Sequence, residues 1–129
     1  MKKETLQIKS KIWLELDDKV VFGLGRIRLF EAIEKTGSMN QAAALLGMSY
    51  RAAWGKVTAT EERLQLQLVE RNQGKRNNGT VLTPIGKELL SRYKLFQQEA
   101  QKKVDQSFDK HLGELVQHLK QHPIIEENK

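Results

Sequence analysis

The stretch SYRAAWGKVT brings Ser49, Tyr50, Arg51, Trp54, Lys56 and Thr58 together, so hydroxyl, guanidinium, indole and ammonium donors crowd a few turns of chain. A guanidinium can bridge O6 and N7 of guanine with two donors, which makes Arg51 the first candidate for reading a base. Tyr50 offers a hydroxyl to phosphate or an apolar edge to a thymine methyl, and Lys56 and Thr58 suit contacts nearer the backbone. Trp54 has two readings, a DNA contact or an indole filling space between this helix and the N-terminal strands. All of this is binding chemistry. No glycine-flanked nucleophile, phosphate loop or acid-base constellation appears, so no enzyme activity and no cofactor are expected. His118 and His122 have the i, i+4 spacing of a helical metal pair, but with no third ligand nearby and no cysteine the expectation is no metal site.

Two helices must position these donors. Ser38, followed three residues on by Gln41, is a capping-box pattern that starts a short helix through Leu46. Gly47 stands where a left-handed backbone is wanted, and Ser49 offers a fresh N-cap for a second helix over residues 49–64. Ala42 and Ala43 keep the first helix thin enough for a close crossing. In the second, Ala53, Val57, Thr60 and Leu64 recur as a buried stripe, which leaves the opposite side open. This is the supersecondary pattern of a DNA-reading helix-turn-helix, and Ser38 and Gln41 join the candidate DNA contacts.

The flanks extend the pattern. Leu6, Ile8, Ile12, Leu14 and Leu16 alternate with polar residues as a half-buried strand would, although Trp13 breaks the alternation. Asp17, Asp18 and Lys19 then supply turn chemistry before Val20–Phe22, so a hairpin is expected, read as a strand closing the core rather than as a self-association edge. From Arg26 the period changes, and Ile27, Leu29, Phe30 and Ile33 form a helical face ending at Gly37 that packs under the helix pair. After Leu64, residues 66–71 and Thr80–Thr83 flank the turn-rich basic loop NQGKRNNG, a wing over residues 72–79. Lys75, Arg76, Asn77 and Asn78 at its tip are expected to enter the minor groove or hold phosphates. Thr83 and Pro84 start the last helix as N-cap and first-turn proline. Its stripe, Ile85, Leu89, Tyr93, Phe96, Ala100, Val104, Phe108 and Leu112, is too long for one small domain to cover. A second subunit is the economical cover, with Leu89 to Leu112 as the pairing residues and two readers on successive turns of DNA. Gly113 is a candidate interruption, and Pro123 should end the helix before a frayed tail.

Composition agrees. The chain of 129 residues carries a net charge of +6, which favours polyanionic partners, and its lack of cysteine fits a reducing, cytoplasmic setting without disulfides. Neither a secretory signal nor an apolar run long enough for a bilayer is present, so no membrane association is expected.

Together SYRAAW, TEERLQLQLVER, the basic wing and LTPIGKELL resemble the N-terminal DNA-binding domain of the ModE family of molybdate-responsive transcriptional regulators. Residues 49–71 are also similar to the winged helix-turn-helix of LysR-type regulators, more distantly. The resemblance implies a transcription regulator that binds double-stranded DNA as a homodimer through helix 49–64 and wing 72–79. Two departures stand out. ModE wings are glycine-rich where this one carries Lys75 to Asn78, and the molybdate-binding domains that follow in full-length ModE proteins have no residues here. Ligand sensing is therefore not carried over; the expectation is a single-domain relative that is constitutive, senses something else, or relies on a protein partner or separate sensor. The alternative is a winged-helix module that docks another protein without reading DNA.

The expected fold class is mainly α with small β elements (α+β). The expected domains are a winged helix-turn-helix with N-terminal strands over 1–83, a long dimerisation helix over 84–122 and a tail over 123–129.

Overall fold

A computed structural model describes residues 6–71 and 79–121, with side chains described as far as His118. The elements run β1 (Leu14–Leu16), β2 (Lys19–Phe22), α1 (Leu24–Thr36), α2 (Met39–Leu45), α3 (Tyr50–Leu64), β3 (Val69–Arg71), β4 (Thr80–Leu82) and α4 (Pro84–Gln121). Mainly helical with two small antiparallel strand pairs, this is the expected winged helix-turn-helix class.

Asp17 and Asp18 both adopt positive φ, 51° and 67°. Such a two-residue turn matches the twist of the strands it joins, and aspartate tolerates the left-handed region better than most residues. Strand β1 is much shorter than the alternation from Leu6 suggested. Its register ends at Leu14 opposite Phe22, and α1 begins at Leu24, so β2 has no residues left to pair with residues 6–13. Leu6, Ile8, Leu14 and Leu16 are all exposed rather than half-buried.

The core lies where α1, α2, α3 and the two hairpins meet. Phe22, Leu29, Phe30, Ile33, Val57 and Leu68 are its fully buried large side chains, joined by the buried alanines Ala42, Ala43 and Ala53. Small side chains where α2 meets α3 let the backbones approach, as the sequence required. Phe22 packs at 5.5 Å from Phe30 and edge-on at 5.0 Å to Tyr93.

One polar knot crosses this core. The Thr60 hydroxyl is fully buried, accepts from Arg26 Nε at 2.8 Å and donates to the Val21 carbonyl at 3.1 Å. Arg63 donates to the Val20 carbonyl. Thus β2, α1 and α3 are tied through one threonine, which satisfies the hydrogen-bonding demand that burial imposes on a hydroxyl. Burial and the neighbouring Arg63 charge both lower the pKa of Arg26.

By backbone contacts the chain divides into two units. The first, Ile12–Leu95, holds the winged domain together with the opening turns of α4. Those turns belong there because Leu90 and Tyr93 are buried and the Tyr93 hydroxyl donates to the Ile12 carbonyl at 3.0 Å. The second joins Met1–Lys11 to Phe96–Lys129, of which residues 6–11 and 96–121 are described. In it, Ile8 to Ser10 run beside Gln101 and Asp105, lining an open, polar hollow. Gly113 does not interrupt α4, which continues to Gln121. Among the described residues no helix is long and apolar enough to cross a membrane.

Candidate nucleic-acid interface

Capping fixes where α2 stops and α3 starts. Gly47, at φ 68°, lets its own N–H reach the Ala44 carbonyl at 3.1 Å while the Met48 N–H reaches Ala43 at 3.0 Å. That reversal ends α2 and leaves room for one residue before the next cap. Ser49 Oγ then accepts from the Ala52 amide at 3.0 Å and starts α3. Ser38 caps α2 likewise, accepting from the Gln41 amide at 3.1 Å. The reciprocal half of the expected capping box differs, because the Ser38 amide donates to Thr36 Oγ1 at 3.2 Å. Thr36 reaches that amide from the preceding helix, and the Gln41 side chain is left at the surface.

Burial along α3 follows one rotation of the helix. Ala53, Val57 and Thr60 are buried and Leu64 is half-buried against the core. Half a turn away, Arg51, Gly55, Thr58 and Glu62 are all exposed and form a continuous open face. Lys56 is exposed on one flank, toward Arg63. Tyr50, Trp54 and Glu61 share the other flank, and β3 lies against it. Glu61 Oε2 accepts from the amides of Leu68 at 2.8 Å and Val69 at 3.0 Å, fastening the root of the wing to α3.

Trp54 is half-buried, but its neighbours differ from those expected. Its ring meets Tyr50 edge-on at 6.4 Å, and the Arg71 guanidinium carbon lies 4.4 Å from its centroid. The indole therefore packs at the wing side of α3. Its Nε1 is buried without a hydrogen-bond partner among the described residues.

Sequence reasoning missed Arg71 and Glu61. Arg71 lies seventeen positions after Trp54 in the chain, and only the turn after α3 brings them together. The signal available was the run of LVER directly after the reader helix, whose arginine ends a strand facing back toward it. Ion pairs join Arg92 to Glu88 at 2.9 Å and Lys94 to Glu31 at 2.7 Å. Neither engages Arg51, Lys56 or Arg71, whose charges stay available to an anionic partner.

Lys75, Arg76, Asn77 and Asn78 lie outside the described residues. The strands that carry them pair as expected, Val69 with Leu82, Glu70 with Val81 and Arg71 with Thr80. The Thr80 amide also donates to the Gly37 carbonyl at 2.9 Å, anchoring the wing to the end of α1.

The stripe on α4 divides. Leu89 is half-buried against the winged domain's own core and Tyr93 is buried in it. Tyr93 fills the space beside Phe22 and donates its hydroxyl to Ile12. Beyond them Phe96 and Leu112 are exposed and Ala100, Val104 and Phe108 half-buried.

With this arrangement in view, residues 24–87 match the family described as bacterial regulatory helix-turn-helix protein, lysR family. Those residues are a lysR-type helix-turn-helix domain. They take in α1, α2, α3, the wing and the start of α4. The chain is also 35% identical over 97 residues to the molybdenum transport protein ModE of Azotobacter vinelandii, covering 74% of this chain and 36% of that protein. The DNA-binding transcriptional dual regulator ModE of Escherichia coli K12 is 35% identical over 101 residues, 78% of this chain and 38% of that protein. The resemblance read from the motifs therefore stands, while the chain spans little more than a third of these relatives' length.

Solved structures give the same lysR-type domain. The DNA-binding domain of CbnR in complex with DNA aligns at a TM-score of 0.52 and 25% identity, over 64% of this chain and 91% of that one. The BenM DNA-binding domain on catB site 1 DNA aligns at 0.53 and 25%, over 71% and 96%.

Proposed function

We infer that this protein is a sequence-specific transcriptional regulator, working in the cytoplasm as a homodimer on double-stranded DNA. Its lysR-type domain lays the open face of α3 in the major groove. The observation that carries this reading is that face itself: Arg51 and Thr58 exposed in line, flanked by Tyr50 and Lys56, on a helix whose opposite side is buried. Ser38 and Ser49 contribute their hydroxyls chiefly as caps, and Gln41 is free at the surface to meet backbone. The wing tip, Lys75 to Asn78, takes adjacent backbone or minor groove. The described apolar stretch of α4 beyond Tyr93 supplies the pairing surface. Binding, rather than catalysis, is the function. Docking of another protein is the weaker reading, because the open face and its flank present the unpaired cations Arg51 and Lys56 in place of an apolar patch.

The experiment is selection of bound duplexes from random DNA by the purified chain, followed by salt titration of the winning sequence. Affinity should fall steeply with salt, about 0.9 logarithmic units per phosphate contact per tenfold change. Arg51→Ala should relax base choice at one position in each half-site, at a cost of about 1–3 kcal/mol. Recovery of no enriched sequence, with no salt-dependent binding, would refute the reading.

A further inference from the structure

We propose that Arg71 and Trp54 form a phosphate clamp between the reader helix and the wing, with the Arg71 guanidinium, seated on the indole, donating to a DNA backbone phosphate. This rests on the DNA-binding reading above and adds to it a contact absent from the sequence expectations.

Arg71 closes the β3–β4 ladder opposite Thr80, so its backbone is fixed where the wing leaves the domain. Its side chain is exposed, its guanidinium carbon lies 4.4 Å from the centre of the Trp54 ring, and it makes no hydrogen bond or ion pair among the described residues. One face of the cation thus rests on an aromatic surface while its N–H edges are unspent. Guanidinium donors match phosphate oxygens in pairs, and an indole is the ring that holds a cation best. Stacking also orders a long side chain before DNA arrives, which lowers the entropy lost on binding.

Trp54 supports this from its own side. Its Nε1 is buried with no acceptor among the described residues, an arrangement that burial of a polar group disfavours. Phenylalanine would fill a packing site without leaving a donor unpaired. The tryptophan is explained by its ring face, the part that meets Arg71. The pair also sits in the right place, since Trp54 is one helical turn from Arg51 and flanks the open face of α3. A duplex that receives Arg51 in its groove brings a strand of phosphates past that flank.

The test uses the full chain and the duplex it selects from random DNA. Arg71→Ala should weaken binding by about tenfold and reduce the slope of log affinity against log salt by about one, with the order of preferred sequences unchanged. Trp54→Leu should weaken binding while leaving the slope in place, and the two changes should be non-additive in a double-mutant cycle, because the ring acts through the arginine. Arg71→Lys keeps the charge and should keep the slope while losing affinity, which serves if the alanine variant unfolds by circular dichroism. An Arg71→Ala slope equal to wild type would overturn the phosphate contact. Strict additivity would overturn the clamp. Competition by inorganic phosphate at constant ionic strength, lost in Arg71→Ala, would reassign the site to a free anion and overturn it as well. If the unaltered chain binds no DNA, the regulator reading itself fails, which is a separate and recognisable outcome.

Discussion

Replacing Glu61 with alanine should loosen the wing from the reader helix and lower the stability of the whole winged domain. One carboxylate oxygen accepts from two backbone amides, Leu68 at 2.8 Å and Val69 at 3.0 Å. Both residues are almost fully buried, 0% and 4% exposed, so water has little access to rescue the amides once the acceptor is gone. A hydrogen bond to a charged group contributes about 1.5–3 kcal/mol, and an orphaned buried donor costs about 1–3 kcal/mol. These figures describe the same loss from two sides and are not summed. Glu61 is itself half-exposed, which places each bond at the low end of the range. Two such bonds give a loss of about 3 kcal/mol, or roughly 10–20 °C in unfolding midpoint for a domain of this size. The assay is thermal and urea unfolding at one fixed protein concentration, because subunit association would otherwise shift the midpoint. Amide exchange adds a local reading, and Leu68 and Val69 should lose protection ahead of the α1 core. Glu62→Ala, an exposed neighbour on the open face, is the control and should change stability by less than about 0.5 kcal/mol. A Glu61→Ala variant as stable as that control, with Leu68 and Val69 still protected, would refute the reasoning.

Two further outcomes concern other elements. A Cβ at Gly86 would run into the Leu68 carbonyl oxygen and stand 3.2 Å from Thr83 Oγ1, the group that caps α4, so Gly86→Ala should cost about 1–3 kcal/mol in urea unfolding. Wild-type stability would show that α4 can shift away from β3 at no cost. Charges placed in α4 by Val104→Asp with Phe108→Asp should raise the dimer dissociation constant at least about 100-fold in sedimentation, since unpaired charge in an interface costs about 3 kcal/mol or more. A variant that stays dimeric at the wild-type concentration would move the pairing surface elsewhere.

Much of the fold was legible because its signals are local. Ser38, Ser49 and Thr83 cap helices through amides three residues ahead, and Gly47 reverses the chain within one turn, so a few adjacent residue types suffice to place each start and stop. The open face of α3 was legible too, because its buried stripe is periodic. The N-terminal strand was overread for the complementary reason. Alternation states which residues suit a strand, but pairing needs a partner of equal length, and β2 ends at Phe22. Periodicity along α4 marks an apolar face without saying what covers it. Tyr93 is buried in its own domain and Leu89 half-buried against it, while Phe96 and Leu112 are exposed.

What the sequence determined by itself, then, is the order of the elements, the caps that bound them and the side of α3 that carries donors. All of these follow from contacts within a few residues. Tertiary structure alone decided the company those donors keep. Nothing in the spacing of Trp54 and Arg71 sets a guanidinium over an indole, and nothing in Glu61 announces that it will hold two amides of the next strand. Each depends on how the chain turns after Leu64, where Gln65 takes a left-handed conformation at φ 58° and directs β3 back along the flank of α3.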